Sequence, residues 1–439
     1  LVESGALTHT DAGWRLAEGS GGAPVPKGVH ALAEQAMARL LPEAVVWLSA
    51  AAVLGQRFDL QAAAEVAGLS AAAAQDAADA AVRSHLVWRE GARAAFVHAA
   101  VRRAVLDALT PAQSARLNDK VANRLLASPS PAPDRLARHL AAAGRIEESA
   151  PFALSGADLA RGRGAGPELV ELLELAERAL APDDPQRPDV VAELGATLVS
   201  VGRYDEAEGW LRQSAEQAAT PRERAAAQAL QAELAFRRGD PAASLRFAES
   251  GLALLGRPVP HGRLSRARAL LGATARQVAH LASPSLFVGV RGPEHASPEG
   301  LAAELYRLVS QSAYLVEGAS TTSLLAHLRK LNLTERYPAS EALAQAWGEH
   351  AMLLHELTGP TPLTRRYAAR AEAVAESLRK PGLQGRARWF QGLIALEAGE
   401  LDAAGDALTE AVPLLKRLGN QWEADRALRF EAALAELAE

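Results

Sequence analysis

A short turn that begins with glycine constrains the fold of this sequence more than any other feature. It occurs four times, at Gly144 to Ser149, Gly202 to Ala207, Gly239 to Ser244 and Gly399 to Ala404. Apolar residues recur every three or four positions on both sides of each copy, which predicts a helix before and after it. One such helix pair cannot bury its own apolar face, so successive pairs must stack on one another. The sequence therefore predicts a helical solenoid.

Two copies of the repeat also share the placement of small and large residues. Gly195 precedes one turn and Leu211 follows it, and Gly392 and Leu408 hold the matching positions around another. Small residues let paired helices approach closely, and large ones fill the contact with the next pair. This is the tetratricopeptide pattern of about 34 residues. It predicts tetratricopeptide-like repeats over 134–439, enough for roughly six to eight helix pairs.

One segment of the predicted solenoid lacks this helical period. It runs from Pro284 to Pro293 and contains several prolines and glycines that interrupt regular structure. We expect a loop insertion near 283–298 and a return to the helical pattern after it.

The region before the repeats has a different pattern. Helices are predicted from Pro42 to Gly55, after Asp59 and after Ser70, because proline suits a first helical position and Asp and Ser cap helix starts. A hairpin with strands 86–89 and 94–97 follows, and then two more helices. This order predicts a winged-helix domain over 42–127. The fold class is thus all-α with one small β-hairpin wing, a winged-helix domain followed by a tetratricopeptide-like α-solenoid.

Composition excludes several functions. The sequence has no cysteine, which rules out disulfides and thiol chemistry, and its formal net charge of −5 gives no attraction for nucleic acid. The helix predicted at 71–84 carries Asp76 and Asp79 but a single base, Arg83. Apolar runs are too short for a membrane span, and no secretory leader is recognisable. We expect a cytoplasmic protein without direct nucleic-acid or membrane partners.

We find no catalytic or metal-binding arrangement in the sequence. The glycine-rich run at 161–168 lacks the Lys-Ser/Thr pair of a phosphate loop and is predicted to join two helices. His350 and His355 are five positions apart, whereas two zinc ligands on one helix need a spacing of four. The chain is therefore not expected to be an enzyme and has no predicted metal site or cofactor of its own.

Four arginines lie on the two helices that follow the hairpin: Arg102, Arg103, Arg116 and Arg124. They form either a solvated face or contacts to an adjoining domain or nucleotide, and the sequence leaves both interpretations open.

The region 50–59, the triplet Phe96-Val97-His98 and the stretch 101–105 resemble the winged-helix region of bacterial signal-transduction ATPases with numerous domains, the STAND class. This AAA/NACHT-like class includes large LuxR-type regulators and multidomain kinases. Residues 4–7 and 25–29 look like the junction that leaves the ATPase core, which makes 1–41 the end of the ATPase helical region and a linker. Residues 328–338 are similar to a segment of the large multidomain members. The resemblance covers nearly the whole chain and implies a C-terminal fragment.

The resemblance implies a nucleotide switch outside this chain, with ATP or ADP and Mg bound by the full-length protein. A winged-helix histidine touches the ADP phosphate in several members, and His98 is the matching position here. The implied function is the sensor portion of a signalling ATPase, which oligomerises on activation. Its partners would be its own upstream ATPase domain and a protein or peptide bound by the repeats. The alternative is part of a LuxR-type transcriptional regulator whose DNA-binding domain lies elsewhere.

Overall fold

The computed structural model describes residues 7–10, 13–16, 28–292, 298–417, 427–430 and 432. They belong to two compact units, Leu1–Phe152 and Ala153–Glu439. Helices make up most of the described residues, which confirms the all-α fold class. Much of the region predicted to leave an ATPase core, 1–41, lies outside the described residues.

The first unit combines short helices with short strands. Its elements are β1 (Leu7–Thr10), β2 (Gly13–Leu16), α1 (Val29–Met37), α2 (Pro42–Leu54), β3 (Arg57–Asp59), α3 (Leu60–Ala67), α4 (Ala71–Arg83), β4 (Val87–Glu90), β5 (Arg93–Phe96), α5 (Ala99–Asp107), α6 (Pro111–Leu126) and α7 (Pro133–Ala142). Helix α8 (Ile146–Arg163) begins in this unit and ends in the second.

Side-chain caps set the helix starts of this unit where the sequence predicts them. The Asp59 carboxylate accepts a hydrogen bond from the Ala62 N–H at 2.9 Å and caps α3. The Ser70 hydroxyl oxygen caps α4 through the Ala73 N–H. Thr110 forms a capping box at the start of α6, directly before Pro111. Each cap satisfies a backbone donor that the first helical turn leaves without a partner.

The described residues of the first unit form two sheets: β1 pairs antiparallel with β2, and a three-stranded sheet has the order β3-β5-β4. The predicted hairpin is β4 and β5, which pair antiparallel with Val87 opposite Phe96. The prediction of a hairpin alone was incomplete, because β3 also pairs with β5 and sets Phe58 opposite Ala94. A strand of three residues is too short to show the alternation by which strands are recognised.

The core of this unit lies between the sheet and helix α2. Trp47 on α2 is fully buried, and its ring meets Phe58 edge-on with 5.6 Å between centroids. Phe58 in turn contacts Phe96 at the end of β5, again at 5.6 Å. This aromatic row fixes the end of β5, and with it the N-cap of α5 two residues later.

The second unit consists of helices. They are α9 (Gly166–Ala179), α10 (Arg187–Ser200), α11 (Tyr204–Gln217), α12 (Pro221–Arg237), α13 (Pro241–Leu254), α14 (Arg263–Ala282), α15 (Pro284–Phe287), α16 (Pro298–Glu317), α17 (Thr321–Thr334), α18 (Glu341–Thr358), α19 (Pro362–Ser377), α20 (Pro381–Glu397) and α21 (Leu401–Arg417). Consecutive helices pack as pairs, namely α10 with α11, α12 with α13, α16 with α17, α18 with α19, and α20 with α21.

The four glycine turns of the sequence share one backbone geometry. Gly144, Gly202, Gly239 and Gly399 all have φ between 77 and 84°. In each turn the glycine N–H donates to the carbonyl three residues earlier, and the next N–H donates to the carbonyl five residues before itself. This is the Schellman ending of a helix, whose left-handed residue glycine adopts most easily. The recurring turn between paired helices is confirmed.

Close approach within helix pairs is also confirmed. A Cβ placed on Gly195 would lie 2.4 Å from Cδ2 of Leu211, on the paired helix. A Cβ on Gly392 would lie 2.7 Å from Cγ of Leu408 in the equivalent pair. Both distances are well inside van der Waals contact, so glycine is needed for these helices to pack at this separation.

The irregular segment of the array is wider than the loop predicted near 283–298. Helix α13 packs directly on α16, while α14, which lies between them in sequence, packs on α17. The 284–287 stretch forms the single turn of α15, and residues 293–297 lie outside the described residues. Helix α14 has a helical period of its own, so periodicity alone could not distinguish it from a helix of the array.

Candidate functional site

His98 is the N-cap residue of helix α5 and lies on the surface of the first unit. Its backbone is extended, with φ −150° and ψ 148°, and its ring is exposed. The ring Nδ1 accepts a hydrogen bond from the Ala100 N–H at 3.0 Å. The histidine thus takes the role that Ser, Thr, Asp or Asn usually have at a helix start.

This hydrogen bond decides which nitrogen of His98 carries the proton. A neutral imidazole has one donor and one acceptor nitrogen, and Nδ1 is here the acceptor. The proton therefore resides on Nε2, at the far side of the ring from the capped backbone. His98 presents an N–H donor to solvent at the positive end of a helix, which is the chemistry that a phosphate oxygen requires.

The predicted arginines do not form one surface. Arg102 Nε donates to the Ala52 carbonyl at 2.8 Å, and Arg102 is half-buried. Burial, followed by the nearby charge of Arg103, lowers the pKa of Arg102 from its ordinary value. Arg103 pairs with Asp107 on its own helix at 2.9 Å, and Arg124 pairs with a glutamate of α3 at 2.5 Å. Arg102 and Arg124 connect parts of this unit.

The histidines at 350 and 355 point to different partners. His350 is buried, and its Nδ1 lies 3.0 Å from Nε2 of His327, with the two rings stacked. His355 Nε2 lies 2.7 Å from a carboxylate oxygen of Glu397. In the described part of the chain, no group of three His, Cys, Asp or Glu side chains could hold a metal ion. The glycine-rich run at 161–168 spans the end of α8, a turn and the start of α9.

Sequence reasoning missed a buried polar cluster in the second unit, centred on Glu335. Glu335 is 1% exposed, yet its carboxylate accepts hydrogen bonds from Trp347 Nε1 at 2.8 Å and from Gln277 Nε2 at 3.1 Å. Nδ1 of His280 lies 2.8 Å from the same carboxylate, and the Glu335 carbonyl accepts from the Gly289 N–H. The cluster ties α14 and its following loop to α17 and α18 through directional bonds.

One signal in the sequence pointed to this cluster. The segment 328–338 carries the polar residues Asn332, Thr334 and Glu335 among its leucines. Asn332 is also buried, and its Nδ2 donates to the Ala273 carbonyl of α14 at 2.9 Å. The resemblance that singled out this segment gave it no role, and its partners are too distant in sequence to be identified from spacing.

A second group of charges includes the buried Lys330 and the partly buried Glu349 and Arg307. The Lys330 ammonium contacts the Glu349 carboxylate, and Arg307 bonds to Glu233 and Glu304, each at 2.5 Å. Burial acts to raise the pKa of Glu349, but the charge and hydrogen bond of Lys330 outweigh it and hold that pKa below its ordinary value. These ion pairs compensate most of the cost of burying charge.

A cavity of about 250 Å³ opens between α16, α17 and α18. Its wall includes Glu299, Glu304, Arg307 and Lys330. Each of these four charges already has an opposite charge within the protein. The cavity has the size of a small-molecule site, but the wall offers no unmatched charge that would select a ligand.

The described helices include none that is both long and apolar enough to cross a bilayer. No protein-family model and no curated protein matches the sequence.

Solved structures with a similar fold include a signal-transduction ATPase with numerous domains (STAND) with a tetratricopeptide repeat sensor, from Pyrococcus horikoshii. Its sequence identity is 12% and the TM-score is 0.42, over 94% of this chain and 56% of that one. A tetratricopeptide repeat protein from Parabacteroides merdae matches 66% of this chain and 100% of its own, with 16% identity and a TM-score of 0.27. At these TM-scores neither similarity is evidence for a function.

Proposed function

We propose that this chain is the regulatory and sensor portion of a cytoplasmic multidomain signalling ATPase. Residues 42–127 would act as a winged-helix domain that contacts the nucleotide of the ATPase domain, and the helical repeats within 134–439 would bind a protein partner. ATP or ADP and Mg would belong to the full-length protein. The observation that carries the proposal is the outward Nε2–H of His98 at the start of α5.

The order of elements around His98 supports a winged-helix domain. Helices α2, α3 and α4 precede the strands β4 and β5, and β3 completes a three-stranded sheet. The final strand leads directly into His98, and Phe96 anchors that strand in the aromatic core. A rigid sheet therefore positions the imidazole, which is what a contact to a phosphate group requires.

The repeats supply the sensor side of the proposal. Stacked helix pairs form an extended surface on which each pair contacts mainly its neighbours, and such arrays bind peptides or other domains. In the proposed mechanism, ADP holds the winged helix closed against the ATPase domain through His98. A partner on the repeats would shift the population towards an open form, which ATP then stabilises and which oligomerises.

The substitution His98→Asp in the full-length protein tests the nucleotide contact. Aspartate still caps α5, so the local fold is kept, but it replaces the N–H donor with a negative charge. A lost hydrogen bond to a charged group corresponds to about 1.5–3 kcal/mol, so we expect ADP to dissociate roughly ten to a hundred times faster. A fluorescent ADP analogue measures this rate, and Val97→Ala, at the exposed neighbouring residue, serves as the control.

Unchanged ADP release in His98→Asp would refute the contact. The chain by itself should give no saturable heat on calorimetric titration with ATP, and a clear saturable signal would contradict the assignment of the nucleotide site to another domain. The complete reading frame then identifies the output. An upstream phosphate loop is required, and a kinase, cyclase or helix-turn-helix domain at either end distinguishes a signalling enzyme from a LuxR-type regulator.

A further inference from the structure

Helix α14 exposes a row of large apolar side chains. Leu264, Leu271 and Val278 are 83%, 70% and 59% exposed, and they recur at every seventh position. Leu286, on the following turn, is 68% exposed. Residues seven apart lie on nearly the same side of a helix, so the three side chains of α14 form one stripe along it, here called the α14 seam.

The opposite face of α14 is fixed to the array by polar contacts. Arg266 donates to the Thr322 hydroxyl at 2.8 Å, Asn332 donates to the Ala273 carbonyl, and Gln277 contacts Glu335. Because these bonds hold α14 on α17, the helix cannot turn the seam inwards without breaking a buried network. The seam is thus a preformed surface, and a partner would not have to order it on binding.

The charge of α14 is of one sign. The helix carries Arg263, Arg266, Arg268 and Arg276 and contains no Asp or Glu. Arg263, Arg268 and Arg276 are exposed, and Arg268, four positions after Leu264 and three before Leu271, lies on the same side of the helix as the seam. A surface of this kind favours a partner whose carboxylates flank its apolar residues.

These observations distinguish between three occupants. A second copy of α14 would bring eight arginines together without a carboxylate from either helix, which is unfavourable. A membrane surface favours a wide apolar face, commonly with aromatic residues, whereas the seam is a single narrow row and α14 has no aromatic residue. A stripe with a period of seven fits one facing helix.

We propose that α14 is a docking helix for an acidic amphipathic helix of a partner protein. The partner's apolar side chains would pack against Leu264, Leu271 and Val278, and its carboxylates would pair with Arg268 and with the positive charge at the start of α14. This proposal rests on the proposed function in one respect, because it names the class of partner that the repeat region would sense and the surface that receives it.

A synthetic probe tests the seam directly. The probe is a 21-residue fluorescent peptide with leucine at the a and d heptad positions and glutamate at e and g, and fluorescence anisotropy measures its binding to the whole chain. We expect saturable binding that weakens with salt, and no binding of the same peptide with lysine in place of glutamate. Leu271→Glu and Arg268→Glu should each raise the Kd at least tenfold.

Leu315→Glu is the matched control, because Leu315 is 61% exposed but lies on α16 and not on α14. Its Kd should equal that of the unmodified chain, and circular dichroism should show the same helix content in all variants. Absence of peptide binding, or equal weakening by the control, would overturn the proposal. If the chain binds phosphatidylglycerol vesicles and not the peptide, the proposal is overturned in favour of a membrane surface. If the chain forms a dimer that Leu271→Glu dissociates, it is overturned in favour of a second copy of the chain.

The result of the peptide-binding assay can be separated from the result of the ADP-release assay. His98 and Leu271 belong to different units, and ADP release in the full-length protein is measured independently of peptide binding, so each assay reports on its own proposal. If His98→Asp speeds ADP release as expected but the peptide does not bind, the docking helix is rejected and the proposed nucleotide contact is retained.

Discussion

Replacing Glu335 with alanine removes the acceptor shared by three side chains of the second unit, two on α14 and one on α18. In the native structure Trp347 Nε1, Gln277 Nε2 and the His280 ring all contact its carboxylate at 2.8–3.3 Å. Gln277 Nε2 also lies 3.0 Å from the Tyr367 hydroxyl and would keep that contact. Trp347 and His280 would each lose the Glu335 acceptor in a site from which water is excluded.

The expected cost follows from the groups left without a partner. A buried donor that loses its acceptor costs about 1–3 kcal/mol, and two such donors plus the space left by the side chain give about 3–5 kcal/mol. We expect this loss to be local, because Glu335 bonds directly to Gln277 and His280 of α14. Opening of α14 would then become at least about a hundredfold more frequent, since each 1.4 kcal/mol is a factor of ten.

Amide hydrogen exchange measures this local opening without requiring the whole chain to unfold in one step. Amides of 266–282 and 331–335 should exchange faster in Glu335→Ala, while those of α20 and α21 should stay at the native rate. Glu376→Ala, at an exposed glutamate of α19, should alter no region measurably. If the α14 amides of Glu335→Ala exchange as slowly as those of the native protein, the view that the polar cluster holds this helix is refuted.

Two further predictions concern the helix pairs and the buried histidines. Gly195→Ala should destabilise the second unit by about 1–3 kcal/mol in urea denaturation, because the added methyl group meets the buried Leu211, whereas Gly209→Ala, where a Cβ meets nothing within 4 Å, should be neutral or slightly stabilising. Burial, and then the charge of a nearby lysine, lowers the pKa of His350 to about 4. Between pH 6.5 and 4 His350 therefore binds a proton in the unfolded chain but not in the folded chain. Its contribution should lower stability by up to about 3 kcal/mol as the pH falls through this range and be constant above it. Denaturation at several pH values should give a shallower fall for His350→Gln, and an unaltered pH dependence in this variant would contradict the account.

Local features of the fold could be predicted from the sequence with good accuracy. The helix starts after Asp59 and Ser70 and the turn at Gly202 depend on neighbouring residues, so each carries its own signal. The close contact at Gly195 could also be inferred, because its partner Leu211 lies in the next helix of a repeat whose geometry is known.

Features that depend on distant contacts could not be predicted in this way. Strand β3 is recognisable only through its pairing with β5, far along the chain. The position of α14 on α17, and not on its neighbour α13, follows from Glu335 and Asn332, whose partners are 55 to 59 residues away. At the candidate site the sequence could suggest His98, but the tautomer of its ring depends on a hydrogen bond that only the structure provides.

The polar character of the contact between α14 and α17 has a consequence for specificity. An apolar interface would allow the helix to slide or rotate at small cost, whereas the bonds to Glu335 and from Asn332 fix both its height along α17 and its rotation about its own axis. The α14 seam is thereby held at a constant angle to the array. Any molecule bound there would therefore have a defined orientation relative to the stacked helices.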